Sequence, residues 1–586
     1  MDSNRPQKCM MSVVSMTVAV CLMLSQSVMA QTGVSERAPA ISFYAALGED
    51  CCGEDPHPVH GIGTSDGGVL IVGKSARSED EWGGFAVKIG PPNPVGVGQF
   101  ITSGEADTLK WSIRIGRANS RSALLNAVEL AGAIFVTGLR DNGQGLSQMY
   151  LAKHGLEDGR LIWEMELANQ TDGRSGAIEV IQSTPNGGLI AGGITDASQS
   201  GLEGFKSFGN PYGGRAELLY FSADIINGAQ APNSPTWRRG LPGYETVKSV
   251  HPIPGPNAGY IVLVGSEGRE ATVVRTDAAG DVIWQRTYQG RFEATDLALH
   301  YRDGEHLGYT FTGHGGRNGT LDGQLTRIDL DGRQVWAKSF GNPAGGVGPF
   351  TGLGRGHPQL IYDECWGIQG LPDGGVVVGC GTGIEGCDLI ADRGLQQTCR
   401  QDPRQTWRGW VIRFNMGGEI VWDRLDSFPE ADSRDRPADA ASEYVAVLAN
   451  GGILSVVDQG FGIGVLVLNT DDGLGAPIAD QAPIPDRDDT EQPATDPNAG
   501  DDSAHQERPD PDTTENRSNE ADPDQSDSED TQQTEGIQDD STNADAGCQT
   551  RPGNNGDGLV LVMLLLPFAN RYYRALARSN PPHRDQ

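Results

Sequence analysis

The stretch Gln324–Gly341, QLTRIDLDGRQVWAKSFG, sets the plan of the chain. It reads as a strand up to Ile328, a tight turn at Asp331-Gly332, a second strand opening at Trp336, and a glycine stop at Gly341. A period of two broken by Asp-Gly reads as two strands joined by a tight turn. Similar units are LAKHGLEDGRLIW ending at Trp163, LYFSADIINGAQAPNSPTW at Trp237, VVRTDAAGDVIW at Trp284 and VIRFNMGGEIVW at Trp422, while FAVKIG leads through a longer loop to Trp111.

Each unit is preceded by a second two-strand unit that closes on an apolar strand. These are Gly61–Gly73, Ala127–Gly138, Ala177–Gly193, Thr246–Gly265, Ala294–Gly313, Cys365–Gly379 and Tyr444–Val457. Asp-Gly and Asn-Gly at their turns predict two-residue hairpins with positive φ. Seven such hairpins face six Trp strands. The missing partner is expected at the other end of the chain, in ISFYAALG (Ile41–Gly48), where Phe43 stands in the Trp position and keeps the Trp336-to-Gly341 spacing. The reading is an all-β chain, a closed seven-bladed β-propeller of four strands per blade over residues 31–475, with the N-terminal strand completing the last blade. Closure removes the unpaired edges that an open stack would expose. Each Trp is read as core packed between blades.

The repeat resembles bacterial exported propellers of the type DGGxxLxG … DxxGxxxW and is loosely similar to quinoprotein-type repeats, over about Ile41 to Leu468. The resemblance implies a fold and leaves the reaction open, because propellers host many unrelated activities. No set of residues matches a quinone or metal site of that family.

The net charge of −33 argues against nucleic acid and anionic membrane surfaces as partners. Arg5 and Lys8 precede an apolar run, and Val28-Met29-Ala30 suits cleavage, so residues 1–30 read as a signal peptide. The mature chain is then exported, to the cell surface or outer membrane of a Gram-negative bacterium, with periplasm or secretion as the alternative. Export makes disulfides the expected state of Cys51, Cys52, Cys365, Cys380, Cys387 and Cys399. Six cysteines allow fifteen pairings. Adjacent Cys51 and Cys52 are expected to reach different partners, with blade six across the channel mouth as one destination, and one or two bridges are expected to pin the blade-six insertion. The alternative for CCGEDPHPVH (Cys51–His60) is a Zn²⁺ site of two thiolates and two imidazoles.

Strand order places the Gly-Gly and Asp-x-x-Gly turns on one face and the connections of variable length on the other. The long connections are Lys74–Gly83, Leu139–Ser147, Ile194–Arg215, Gly341–Tyr362, Cys380–Arg408 and Asp426–Ser442. Variable loops on a constant scaffold are where binding surfaces are built, so this face is the expected working face. Glu245, Glu293, Asp363, Glu364 and Glu443 sit just before the inner strands, as candidate binding residues at the channel mouth. Ca²⁺ is the one ion such an oxygen-rich ring suggests, and no other cofactor is expected. The chain contains no Gly-x-Ser-x-Gly, His-Glu-x-x-His, phosphate-loop or dinucleotide motif, so no catalytic residues are assigned. The expected function is a binding propeller for an extracellular glycan, protein or polymer. The alternative is an exported hydrolase or lyase with its site at the channel mouth.

Residues 476–546 are almost free of apolar side chains. Ala476–Thr550 carries 22 carboxylates against three arginines, a local charge of −19, and reads as a disordered spacer. Its reach is at least ~45 Å for a flexible chain of this length. Residues 547–586 run Gly547-Cys548, a polar gap, an apolar stretch Leu559–Ala569, then Arg571, Arg574 and Arg578. That order resembles the tripartite C-terminal sorting signals of Gram-negative surface proteins. The resemblance implies processing or anchoring at Gly547-Cys548 and a membrane partner. The departures are the length of the gap, Pro567 within the run and the polar end SNPPHRDQ.

Overall fold

The computed structural model describes residues 38–469, except 54–55, 79–80, 92–108, 117–120, 199–201, 203–211, 256–257, 266–269, 316–321, 342–361, 384–396, 398–407, 427–439 and 459–461. Its strands form seven four-stranded sheets, each an antiparallel meander. The inner strands are β2 (Pro56–Gly63), β6 (Ala123–Leu130), β10 (Ser175–Ser183), β14 (Thr246–Pro252), β18 (Ala294–Arg302), β22 (Tyr362–Gly370) and β26 (Ala441–Val447). Each packs against the inner strands of both neighbouring blades, β26 against β2 included, so the ring is closed. Closure is made by β1 (Ile41–Leu47), which pairs with β28 (Ile463–Leu468) as the outer strand of blade seven. Phe43 is buried there with Val69, Ile71, Phe85 and Val87 of blade one.

The Trp strand and the Asp-x-x-Gly turn are two halves of one contact. The rings of Trp111, Trp237, Trp284 and Trp336 lie against Gly159, Gly280, Gly332 and Gly418, each in the turn of the next blade. A Cβ on any of these glycines would stand 2.7–3.0 Å from the indole, and all four have positive φ. The Trp111 and Trp336 indole N–H groups donate to Leu156 O (3.1 Å) and Met416 O (3.2 Å) of the same turns. The motif therefore records packing between blades, not within one.

The glycine that ends the second strand has a different cause. All seven inner strands carry a β-bulge at the same position, between Pro58 and His60 in blade one and at the matching pairs elsewhere. The bulge pushes a carbonyl toward the neighbouring strand. A Cβ at Gly73, Gly138 or Gly193 would meet His57 O, Ala123 O or Ala177 O at about 2 Å (2.0, 1.9 and 2.1 Å).

The inner hairpin turns differ from the expected two-residue form. Only blades two and five have it, with positive φ at Ala131-Gly132 and Asp303-Gly304. Blades one, three, six and seven use a longer turn in which only the glycine is left-handed, as in Thr64 N→Gly68 O (2.8 Å) with Gly67 N→Thr64 O (2.9 Å). Asp66 and Asp373 accept the N–H groups of Gly68 and Gly375, and also bind Lys88 Nζ and Arg413 Nη2, both at 2.6 Å, from the third strand of the blade. Those cations face Trp111 and Trp422 across the ladder. The sequence reading passed over them, although FAVKIG and VIRFN show them in plain view.

Candidate functional site at the channel mouth

The bulge displays one residue per blade at a single level near the long-loop face: Val59, Leu125, Glu179, Lys248, Thr295, Trp366 and Glu443. Neighbouring blades are joined there. Lys248 Nζ lies 2.9 Å from Glu179, which also accepts from the Thr246 hydroxyl. Burial raises the Glu179 carboxyl, and the Lys248 charge only partly opposes it. The Thr295 hydroxyl donates to Cys365 O of blade six at 2.8 Å.

Glu293 and Glu364 come together around His314. Glu293 occupies a left-handed position between blades and holds His314 Nε2 at 3.2 Å, while His314 Nδ1 meets Cys365 O at 3.3 Å. The Trp366 ring lies edge-on to His314, with centroids 6.1 Å apart. Burial opposes charge on the imidazole, yet the Glu293 hydrogen bond and the charges of Glu364 and Glu293 outweigh it and raise His314 above its ordinary value. Burial likewise opposes charge on Glu293, and His314 outweighs it, leaving Glu293 lowered. Asp363 is buried and accepts the hydroxyl of its cross-strand partner Thr382. Glu443 is buried on blade seven, and Glu245 sits half-buried before β14. Among the described residues, no group of three or more His, Cys, Asp or Glu side chains is placed to hold a metal ion.

Cysteine pairing departs from expectation. Cys51 and Cys52 bond to each other, and Cys365 bonds to Cys380. The ladder explains the second bond, because Cys365 and Cys380 are direct cross-strand partners, and the vicinal pair lies in the core between blades seven and one. The two-thiolate zinc reading falls with it. His57 pairs with Asp458 at 2.9 Å, and His60 packs on Tyr444 with centroids 4.1 Å apart. Cys387, Cys399, Gly547 and Cys548 lie outside the described residues. The expected loop Lys74–Gly83 is largely strand, since β3 (Val69–Ser78) and β4 (Glu81–Ile89) extend into it.

The inner strands also carry a polar layer that the sequence reading did not assemble. Asp296 accepts from Ile368 N (3.1 Å) and Leu297 N (2.8 Å), and Gln369 donates to the Tyr444 hydroxyl (3.0 Å). Ser249 and His251 are in contact at 3.2 Å. Burial pushes Asp296 up to about 7 and drags His60 and His251 down to about 3 and about 4. Asp296, Tyr444 and His60 each follow a bulge directly, a feature that only the ladder shows. These hydrogen bonds tie blade five to blade six and blade six to blade seven.

No family model matches the chain, and no curated protein does. Among solved structures it is similar to the Neurospora crassa Pan2 WD40 domain, at 9% identity and TM-score 0.39 over 74% of this chain and 96% of that one. It is also similar to a quinohemoprotein alcohol dehydrogenase from Pseudomonas putida HK5, at 11% identity and TM-score 0.38 over 76% of this chain and 78% of that one. A third is BamB from Moraxella catarrhalis, at 11% identity and TM-score 0.28 over 71% of this chain and all of that one. At these identities the likeness concerns the fold alone.

Proposed function

We propose that the chain is a non-enzymatic binding propeller that meets an extracellular glycan, protein or polymer at its long-loop face. The observation that carries this reading is the asymmetry of the two faces. The short-turn face repeats the Trp-on-glycine contact at four seams, whereas the charged contacts described near the long-loop face differ from one another: Glu179–Lys248 between blades three and four, Glu293–His314 beside blade five, and His57–Asp458 between blades one and seven. Side chains that vary on a repeated scaffold suit recognition. Two disulfides support an exported, oxidising location. In this reading residues 1–30 direct export, residues 476–546 are the spacer, and residues 547–586 hold the propeller at a membrane of the cell surface.

The second reading, an exported enzyme, is favoured by one feature: His314 stands between Glu293 and Glu364 beside Trp366. The melting temperature of the full chain against glycans, Ca²⁺ and chelator separates the two, since a ligand of the folded state raises it. A glycan shift independent of metal supports binding. A Ca²⁺ shift lost in Glu293→Gln with Asp363→Asn moves the assignment toward an ion-dependent site. Turnover of a polymer abolished by His314→Ala would overturn the non-enzymatic reading.

A further inference from the structure

We propose that the Cys51–Cys52 disulfide is a reducible latch on the closure of the propeller ring. Its position is the first ground. The bond lies in α1 (Glu49–Cys52), the short helix that leads from β1, the closing strand of blade seven, into β2 of blade one. That seam is the one place where the ring is joined by strands from opposite ends of the fold. The helix packs on β1 and on β4 and β5 (Leu109–Ile115) of blade one, and Cys51 O accepts from Arg114 Nε at 3.4 Å. Cys51 and Cys52 are 3% and 0% exposed, within the cluster that holds Phe43 and Leu47 against blade one.

The second ground is what the bond cannot do. A disulfide that closes a long loop stabilises by restricting the unfolded chain. Cys51 and Cys52 are adjacent, so the ring between them encloses no other residue and removes few long-range conformations. Its effect is local: it fixes the backbone and side-chain torsions of a single turn. The turn that follows is tight, because Gly53 has φ +101° and a Cβ there would lie 2.6 Å from Ser75 Oγ. A rigid pair at this point sets the angle at which the chain leaves β1 and enters blade one.

The dithiol state is also accommodated, since Cys51 Sγ lies 3.3 Å from Gly48 O, where a thiol would donate. Reduction takes two electrons and two protons from a dithiol reagent, which becomes its own disulfide, while the Cys51–Cys52 bond breaks to two thiols. The latch then holds the seam by packing alone, and β1 exchanges its hydrogen bonds with β28 more readily.

The test uses the full chain with graded dithiothreitol, site-resolved alkylation and amide hydrogen exchange. Cys51 and Cys52 should be labelled before Cys365 and Cys380, whose pairing sits inside a ladder. Exchange in Ile41–Leu47 should then rise at least tenfold, while blade three stays unchanged. Cys51→Ser with Cys52→Ser should reproduce the local rise without reductant. Labelling of all four cysteines only on global unfolding would overturn the proposal. So would unchanged exchange in β1 after reduction, or an equal rise in blade three. If the double variant does not fold, the reduced wild-type chain decides, because it differs only by two hydrogen atoms.

Discussion

The two faces of the propeller are built on opposite principles. On the short-turn face one solution recurs: Asp277, Asp329 and Asn415 each accept two backbone N–H groups of their own turn, and each turn supplies the glycine on which the preceding blade's Trp rests. Near the long-loop face, among the described residues, Glu179–Lys248 and His57–Asp458 join their blades with different chemistry, and the two disulfides of the described residues lie there. Packing between identical blades can be solved once and copied, so the short-turn face tells how the ring stands. The other face is free to differ only because that problem is solved elsewhere, and its differences are where function is sought.

The sharpest way to break this division is to remove one copied contact. Trp111→Ala should cost about 3–5 kcal/mol, as for other buried large-to-small changes. It deletes both the packing on Gly159 and the bond to Leu156 O. Denaturant unfolding measures it, and a loss below about 1 kcal/mol would show that the contact is not what joins blades one and two. Next is Asp373→Ala. Arg413 is buried and its Nη2 meets Asp373 at 2.6 Å, so removing the carboxylate strands a charge. Because Asp373 is partly exposed, a loss near the low end of the buried-pair range, about 3 kcal/mol, is expected.

Opening Cys365–Cys380 by a paired Ser substitution is the corresponding test of the long-loop face. A loop of sequence separation 15 is worth about 3 kcal/mol through the unfolded chain. The same substitution at Cys51 and Cys52 should cost less globally and act on β1. Equal losses in urea titrations would erase the distinction between the two bridges.

How far the sequence carried can be judged from particular residues. The ring was legible because period-two alternation, Asp-x-x-Gly and Trp recur, and Phe43 could be matched to Trp by spacing alone. Lys88 and Arg413 were missed because a cation in a strand reads as an exposed position until its turn carboxylate is seen folding back on it. The vicinal bond was missed because pairing depends on register: only the ladder shows that Cys365 and Cys380 already face each other. Asp296 and Tyr444 belong to separate blades, and nothing in the spacing of either reports that a bulge turns both into the channel. Turn and packing chemistry is local and readable, whereas a site assembled across blades is not.

The smallest expected effect bears most on the candidate site. His314 is raised by Glu293 and Glu364, so its stabilising contribution is complete below its ordinary 6.5 and fades as pH rises through the raised folded value. Glu293 is lowered, so its contribution is present above its ordinary 4.5 and fades as pH falls through the lowered value. Both are in force together between those two ordinary values. Glu293→Gln should therefore lower stability most near pH 5–6, and progressively less as the pH rises through the raised His314 value. The size should stay within about 1 kcal/mol, because the Glu293 side chain is 40% exposed and solvent screens it. Melting temperatures of wild type and variant from pH 4 to 9 should diverge in that window and converge at alkaline pH. A constant offset across the range would mean that Glu293 acts through its backbone position between the blades, not through its charge on His314.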